Sequence, residues 1–323
     1  MFSETNGNVA VLEPEVDLVA GLDTEFVAQF LGDHDLPLGS DAVSHTAKYN
    51  LAGVPRAAAL SRRQYPRRVL ACPNCSLALD VTETGATCPN RHSFDRGRGG
   101  YLNLLLGGRL SSDAVPGDTG ESLAARRRFL TAGNYGPIAA ALAAATAGAP
   151  GPVLDVGCGE GWYLTQVQGD RYGLDVSKTA VQMAAKAHQD MMFVVGNAYR
   201  LPVLSESVGV VMSVFAPHPF EEFARVLRPD GWWVTVTPGP QHLQEMKPDL
   251  SDRERVSERM KRRAEPPLEA RSSQRVQCAL QLTEHSAADL YAMTPLRFQK
   301  DAGAQGLREV TVDVWVSSSR LTA

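Results

Sequence analysis

Three cysteines and one histidine lie close together in the chain, at a spacing that suits a metal ion. The pattern is Cys72-x2-Cys75-x12-Cys88-x3-His92. Three thiolates and one imidazole complete a tetrahedral zinc site, and four protein ligands leave no position for a reactive water. We therefore expect a structural Zn²⁺ ion that contributes much of the folding free energy of a small module.

The residues between the two ligand pairs predict the element that holds them. Short strands at 69–71 and 79–81, followed by a turn at 82–85, would place each pair on a turn and join the two turns by a hairpin. The sequence predicts no helix after Cys88 that could enter a DNA groove. We therefore expect a zinc ribbon that contacts RNA or a protein partner.

A glycine-rich turn follows a short apolar strand in the middle of the chain. Its glycines are Gly157, Gly159 and Gly161, a spacing that differs from the dinucleotide fingerprint, and no P-loop lysine follows them. Glycine lets the backbone turn tightly and approach a ligand. The acidic Asp155 and Glu160 would repel a pyrophosphate, and they suit a ligand that carries an ammonium and a sulfonium group.

Two further polar side chains lie at the ends of the next predicted strands. Asp175 lies 18 residues after Gly157, where a carboxylate can accept hydrogen bonds from both ribose hydroxyls of an adenosine. Asn197, with Ala198 beside it, follows the third strand and offers an amide to an adenine edge. Together with the glycine turn, these residues predict a site for S-adenosylmethionine.

The elements that must position these residues alternate from residue 153 onward. Such alternation predicts an α/β fold with a parallel, doubly wound sheet. The predicted strands are 153–156, 172–175, 192–195, 208–214 and 232–237, and the predicted helices are 121–132, 135–147, 162–167, 178–188 and 220–226. The polar–apolar alternation at 307–316 predicts an antiparallel edge or late hairpin strand.

The chain has 323 residues, enough for two domains. We predict an acidic N-terminal extension at 1–66, partly disordered or with a short helix at 16–31, a zinc ribbon at 67–100, a linker and helix at 101–135, and an S-adenosylmethionine-dependent methyltransferase domain at 136–323. Residues 1–47 contain nine acidic residues and no lysine or arginine. This arm is either a solubilising tail or a segment that masks a polyanion site.

The sequence also bears on the cellular compartment. The longest apolar run, at 208–216, is too short to span a bilayer. A targeting signal would require basic residues near the N-terminus, and no lysine or arginine precedes Lys48. The five cysteines are too few for a disulfide framework. We therefore expect a cytoplasmic protein with no membrane partner.

Several motifs in one order resemble a known family. Besides the ribbon and the glycine turn they are Pro116-Gly117-Asp118, Ala125-Arg126-Arg127-Arg128-Phe129-Leu130, Gly133-Asn134-Tyr135, Gly173-Leu174-Asp175-Val176-Ser177-Lys178, Phe215-Ala216-Pro217 and Thr237-Pro238-Gly239-Pro240-Gln241-His242-Leu243. Over about residues 69–317 the chain resembles the bacterial 23S rRNA (guanine-N1)-methyltransferases, which include macrolide-resistance enzymes.

This resemblance implies a Rossmann-like methyltransferase domain, a zinc ribbon that helps hold RNA, and often a homodimer. The implied substrate is a 23S rRNA hairpin, or the large-subunit precursor that contains it, with the target guanine in a loop lining the peptide exit tunnel. Methylation there would affect macrolide sensitivity, the property behind the antibiotic resistance that some members of the family give. The implied cofactor contacts fall on Tyr135, Gly159, Glu160 and His242.

The catalytic residues stay unknown from the sequence. Guanine N1 carries a proton that must leave, so a base or a path to solvent is needed. Four candidates are His218, Glu221, Glu222 and His242, and each has an alternative role in packing or at the surface.

The RNA-binding surface and the function also have alternatives. Cationic candidates are Arg96, Arg98, Arg126, Arg127, Arg128 and the run from Arg253 to Arg275, which could equally be the solvated face of a helix. Tyr101, Trp162 and Tyr163 could stack a base or pack in the core. Besides rRNA methylation, the alternatives are a methyltransferase for a small molecule and a non-catalytic, zinc-dependent RNA-binding protein.

Overall fold

The computed structural model describes residues 68–106, 119–246, 268–298 and 303–321. The acidic extension with its predicted helix, the Pro116-Gly117-Asp118 turn and the basic residues at 253–267 lie outside these ranges. Within the described ranges, no helix has the length and apolar character needed to cross a membrane.

The first described element is a small antiparallel sheet. It contains β1 (Asp80–Val81), β2 (Gly85–Thr87) and β3 (Ser93–Asp95) in that order. The hairpin turn between β1 and β2 is closed by Thr82, whose N–H donates to the carbonyl of Gly85 at 2.8 Å. This sheet is the predicted ribbon.

In the part of the chain that the structure describes, the main sheet has eight strands in the order β10-β11-β9-β8-β5-β6-β7-β4. Their bounds are β4 (Leu102–Asn103), β5 (Val153–Val156), β6 (Arg171–Asp175), β7 (Met192–Val195), β8 (Val208–Val214), β9 (Leu227–Pro238), β10 (Leu268–Gln281) and β11 (Glu309–Leu321). Strands β4 to β9 pair in parallel, and β11 pairs antiparallel with both β9 and β10. The parallel strands β5, β7 and β8 are buried along their whole length, as expected when both faces of a sheet are covered.

In the described ranges of the chain, five helices accompany the sheet. They are α1 (Gly120–Thr131), α2 (Gly136–Thr146), α3 (Lys178–Ala187), α4 (Phe220–Val226) and α5 (Glu284–Met293). Local chemistry sets their starts, because Thr119, Ser177 and Thr283 each accept a backbone N–H of the first turn. Short 3₁₀ turns occur at Tyr163–Gln166, Gln244–Met246 and Pro295–Phe298.

Two apolar clusters cover the two faces of the sheet. One cluster contains the buried residues Ile138, Leu142, Val181 and Leu290 of helices α2, α3 and α5. The other contains Phe223 of α4 together with residues of the ribbon. The ribbon therefore belongs to the hydrophobic core of the methyltransferase part.

The ribbon packs where the connection between β7 and β8 contains no helix. Residues 196–207 of this connection form turns and bridges. Ala71 N–H donates to the carbonyl of Pro202 at 2.9 Å, and Leu204 N–H donates to the carbonyl of Val69 at 2.8 Å. In place of a helix, the segment that leads into the ribbon thus covers this part of the sheet.

The structure confirms the alternating α/β fold and differs from the predicted elements in four places. The strand predicted at 69–71 contains only isolated bridges, from Leu70 to Val203 and from Ala71 to Ala78. The helix predicted at 162–167 is a single 3₁₀ turn, Tyr163–Gln166. The basic run is not a helix from Leu268 onward, because Leu268–Gln281 is a strand paired with β11. Within the predicted linker, Leu102–Asn103 adds a parallel strand to the main sheet through β7.

Candidate functional site

The four predicted metal ligands lie together in the ribbon. Their ligand atoms are all within 4.8 Å of one another. The Cys75 and Cys88 sulfurs are 3.6 Å apart, and His92 Nδ1 lies 3.3 Å from Cys88 Sγ and 3.5 Å from Cys72 Sγ. A tetrahedral ion with Zn–S bonds of about 2.3 Å requires edges of about 3.5–3.8 Å. The geometry of the ligand set therefore fits a structural zinc ion.

Two tight turns present these ligands. In the first, Ser76 N–H donates to the carbonyl of Cys72 at 2.8 Å, and in the second, Arg91 N–H donates to the carbonyl of Cys88 at 2.8 Å. Both Ser76 and Arg91 adopt a left-handed backbone, with φ of 60° and 62°. Such turns expose backbone N–H groups toward the ligand atoms, and metal binding offsets the conformational cost.

The second site is built on the turn between β5 and the following 3₁₀ helix. Gly157 and Gly161 have φ of +82° and +84°. A Cβ atom on Gly157 would lie 2.5 Å from Ala216 Cβ, and one on Gly161 would lie 2.9 Å from the Phe193 ring. Both the backbone conformation and the lack of space therefore require glycine here. We call residues 157–161 the glycine loop.

A buried carboxyl group lies beneath the glycine loop. The side chain of Asp155 is on β5 and the residue is 1% exposed. Its Oδ1 atom has no hydrogen-bond partner among the described residues. Burial, together with the nearby charges of Asp175 and Glu160, raises the pKa of Asp155 well above its ordinary value. This acidic environment favours a cationic ligand, so the residues present fit S-adenosylmethionine.

Asp175 connects the end of β6 to the glycine loop. Its Oδ2 atom accepts the N–H of Gly159 at 2.9 Å, and its Oδ1 atom accepts the N–H of Ser177 at 2.8 Å. Asn197 follows β7, the neighbouring strand, in which Val195 is the register partner of Asp175. The structure therefore places the predicted ribose and adenine contacts at one edge of the sheet. Ala198, beside Asn197, packs against the second apolar cluster.

Three rings form a cluster near the same edge. Phe215 stacks on His242, with ring centroids 5.6 Å apart and an interplanar angle of 18°. Tyr135 lies 6.4 Å from the Phe215 ring and 6.3 Å from the His242 ring. Residues far apart in the chain therefore meet here, including Tyr135 and His242, which the resemblance had assigned to the cofactor.

The position of His242 depends on a residue that the sequence analysis missed. Asp313 of β11 donates its N–H to His242 Nδ1 at 3.2 Å, and its carbonyl accepts the N–H of Gly239 at 2.7 Å. The Asp313 side chain is fully buried and forms two hydrogen bonds with Arg275, at 2.8 and 3.0 Å. Arg275 is therefore part of an ion pair that supports the His242 loop. The alternation in β11 would place Asp313 with Thr311 and the exposed Trp315, on the face opposite the buried Val312 and Val314, so no local signal indicates that Asp313 is buried.

We expect Arg275→Met to destabilise the fold measurably, because it leaves the buried carboxylate of Asp313 without its cationic partner. Pairing with Arg275 lowers the pKa of Asp313. The stabilisation is therefore complete above the unfolded pKa of about 3.9 and is lost only as pH falls through the lower folded value. Denaturant unfolding should give a constant difference from pH 6 to 8.

Arg228→Met is the matched control, because Arg228 pairs with the exposed Asp230 at 3.1 Å. Such surface pairs contribute at most about 1 kcal/mol. Equal destabilisation by the two substitutions would contradict the assigned role of the Arg275–Asp313 pair.

The structure assigns other contacts to most of the candidate bases. Glu222 accepts two hydrogen bonds from Arg225, both at 2.7 Å, and another from the N–H of Leu201. These donors lower the pKa of Glu222 despite its partial burial.

His218 Nδ1 lies 3.2 Å from the hydroxyl of Ser213. His242 accepts an N–H at Nδ1, so its neutral ring carries the proton on Nε2. Glu221 lies in the first turn of α4.

The arginines of α1 differ in their surroundings. A Cβ atom on Gly159 would lie 3.2 Å from Arg126 Nη1, so this guanidinium lies beside the glycine loop. Arg128 forms a two-pronged ion pair with Asp289, and Arg127 is exposed. The three neighbours are therefore not one cationic surface.

The aromatic residues that could have stacked a base are Tyr101, Trp162 and Tyr163. Tyr101 is buried, and Trp162 and Tyr163 pack against the first cluster, which agrees with the core-packing alternative.

Family models match both parts of the chain. The model described as "RlmA, N-terminal", a zinc ribbon, matches residues 70–106, which contain all four metal ligands. The model described as "Methyltransferase domain" matches residues 154–235, which contain the glycine loop and Asp175. The cofactors of the two parts are accordingly a structural zinc ion and S-adenosylmethionine.

Curated relatives match most of the chain. A 23S rRNA (guanine(748)-N(1))-methyltransferase of Streptomyces fradiae is 33% identical over 269 residues, which cover 76% of this chain and 95% of the relative. A protein of Micromonospora griseorubida, provisionally named a 23S rRNA (guanine-N(1)-)-methyltransferase, is 36% identical over 268 residues, 72% of this chain and 88% of the relative. YxjB of Bacillus subtilis, with the same provisional name, is 31% identical over 192 residues, 54% of this chain and 66% of the relative. Since the first two relatives are matched over nearly their whole lengths, the chain belongs to the 23S rRNA (guanine-N1)-methyltransferase family.

Proposed function

We propose that the protein transfers the methyl group of S-adenosylmethionine to N1 of a guanine in 23S rRNA. The observation that carries this proposal is the packing of the zinc ribbon into one hydrophobic core with the strands β5 and β6, which carry the glycine loop and Asp175. A small acceptor would need no ribbon. The names of the relatives state that the methylated base is guanine and that the methylated atom is N1.

The residues at the strand ends have distinct roles in the proposed cofactor site. Asp175 accepts hydrogen bonds from the ribose hydroxyls, and Asn197 with Ala198 contacts the adenine. The residues at 157–161, Glu160 among them, cradle the amino acid end. A bound cation favours the ionised form of the buried Asp155, whose carboxylate then balances the positive charge of the cofactor. Tyr135 and His242 border the reactive end.

The cofactor also carries a carboxylate, which three acidic side chains near the glycine loop would repel. Arg126 lies beside Gly159 and supplies a compensating positive charge. A guanidinium can form two parallel hydrogen bonds with a carboxylate, which fixes orientation as well as charge. We therefore place Arg126 in the cofactor site rather than on the RNA-binding surface.

Methyl transfer requires the acceptor atom to be held in line with the sulfonium. Guanine N1 lies on the Watson–Crick edge, so the base must be unpaired or turned out of its helix. As N1 bonds to the methyl carbon, the carbon–sulfur bond breaks and its electrons stay on sulfur. The N1 proton leaves to solvent or to a base. Tyr135 is an unsuitable base, because burial raises the pKa of its phenol.

Several finer properties belong to this proposal. The ribbon at 67–100 and the linker with its helix at 101–135 would hold RNA beside the domain at 136–323. The acidic segment at 1–66 is an extension. We further propose a hairpin of 23S rRNA or of the large-subunit precursor as the substrate, a homodimer as the assembly and the cytoplasm as the compartment. An effect on macrolide sensitivity would follow from the tunnel position of the guanine.

Incubation of the full chain with labelled S-adenosylmethionine and rRNA from a strain that lacks the modification tests the function. We expect label at N1 of one guanine in 23S rRNA, located by a reverse-transcription stop, since an N1 methyl group blocks base pairing. Label confined to small molecules would favour a methyltransferase that acts on a small molecule. Absence of cofactor binding would favour a non-catalytic RNA-binding protein.

A further inference from the structure

Phe215 has two features that are unfavourable for a structural residue. It follows β8 directly with φ of +53°, a left-handed conformation that costs free energy for any residue with a Cβ atom. Phe215 is also 41% exposed, so a substantial part of the benefit of burying an aromatic side chain is absent. Strained, exposed aromatic residues persist where the surrounding structure fixes them, which occurs preferentially at functional sites.

The surroundings of Phe215 fix both its backbone and its ring. Its N–H donates to the carbonyl of Val236 at 3.0 Å. The Ser213 hydroxyl lies 3.3 Å from the carbonyl oxygens of both Ala216 and Pro217, which holds the loop closed. One side of the ring rests on His242 in a stacked arrangement. The ring is therefore a rigid surface with a supported back and an accessible remainder.

The loop that carries Phe215 touches the glycine loop. Ala216 Cβ lies only 2.5 Å from the position that a Cβ atom on Gly157 would occupy. Because β5 and β8 are parallel neighbours, both loops leave the sheet at the same edge. A planar group resting on Phe215 would therefore lie next to a ligand held by the glycine loop.

We propose that Phe215, backed by His242, is the platform on which the acceptor guanine stacks during methyl transfer. This inference rests on the proposed function and names the acceptor subsite. An extruded base has lost its neighbours in the helix, and an aromatic side chain replaces that stacking. The rigid ring also holds the base plane in one orientation, which limits the directions from which N1 can approach the methyl group.

Three substitutions at Phe215 separate stacking from other roles. Phe215→Leu removes the aromatic face, and stacking of one base contributes about 1–3 kcal/mol. We therefore expect kcat/KM on unmodified 23S rRNA to fall about 5- to 150-fold, with the Kd of S-adenosylhomocysteine unchanged by calorimetry. Phe215→Tyr keeps the ring and should stay near wild type. Phe215→Gly relieves the backbone strain, so it should lose transfer activity without lowering the thermal unfolding midpoint.

Phe298→Leu is the matched control, because Phe298 is 55% exposed and lies in a separate 3₁₀ turn next to Arg297. It should leave both kinetics and binding unchanged. A Phe215→Leu protein with the kcat/KM of wild type would overturn the proposed platform. A loss of cofactor affinity as large as the loss of kcat/KM would also overturn it, because it would assign Phe215 to the cofactor site. If the wild-type chain binds cofactor but never labels 23S rRNA, the proposed function fails and the acceptor subsite fails with it.

Discussion

Replacing Cys75 with serine is expected to remove the zinc and to unfold the ribbon. Structural zinc sites contribute about 10–16 kcal/mol of apparent binding free energy, and loss of one thiolate of four removes most of the affinity. The loss of structure should extend beyond the ribbon, because Cys72 and Cys88 are buried in the same cluster as Leu201 and Val203 of the main domain. Metal analysis should change from one zinc per chain to none, and limited proteolysis should cut within residues 69–106.

Cys278→Ser is the matched control for this substitution. Cys278 is half-buried in β10, and burial raises the pKa of its thiol. The Cys278→Ser protein should keep its zinc and its resistance to protease. A Cys75→Ser protein that retains stoichiometric zinc would show that the four residues do not form the metal site.

The second large effect is expected at Asp175. Hydrogen bonds to a charged group contribute about 1.5–3 kcal/mol each, and the proposed site has two from the ribose. Asp175→Ala should therefore raise the Kd of S-adenosylhomocysteine at least about a hundredfold, measured by calorimetry. Asp175→Asn keeps an oxygen that can accept the N–H of Gly159, so it should preserve the loop and show a smaller loss.

Asp190→Ala controls for the loss of an acidic side chain. Asp190 is 65% exposed and pairs with Arg171. It should bind the cofactor as wild type does. A folded Asp175→Ala protein whose Kd lies within about threefold of wild type would exclude Asp175 from the cofactor site.

The elements that sequence analysis predicted well are those whose signals are local. The strands at 153–156, 192–195 and 208–214 are short, mostly apolar runs, and the structure gives each the same bounds. The metal ligands and the glycine loop are also local, since their spacing fixes a turn. Asp175 and Asn197 could be placed because parallel strands end at a common edge.

The elements that it missed depend on contacts between distant residues. The strand Leu102–Asn103 is too short to have a pattern of its own and exists through pairing with β7. The strand at 268–281 was hidden by its arginines, although Val276, Cys278 and Leu280 alternate in register with β11. The Arg275–Asp313 pair joins residues 38 apart. No local signal indicates that this pair supports His242.

The placement of β11 has a consequence for how the molecule is made. This strand is last among the described elements, yet it lies between β9 and β10 and supplies the backbone group that orients His242. A ribosome that has synthesised the glycine loop and Asp175 has therefore produced an incomplete pocket. Since chains fold progressively as they emerge, we expect the loop that carries His242 to take its observed position only after β11 has been synthesised and has paired with β9.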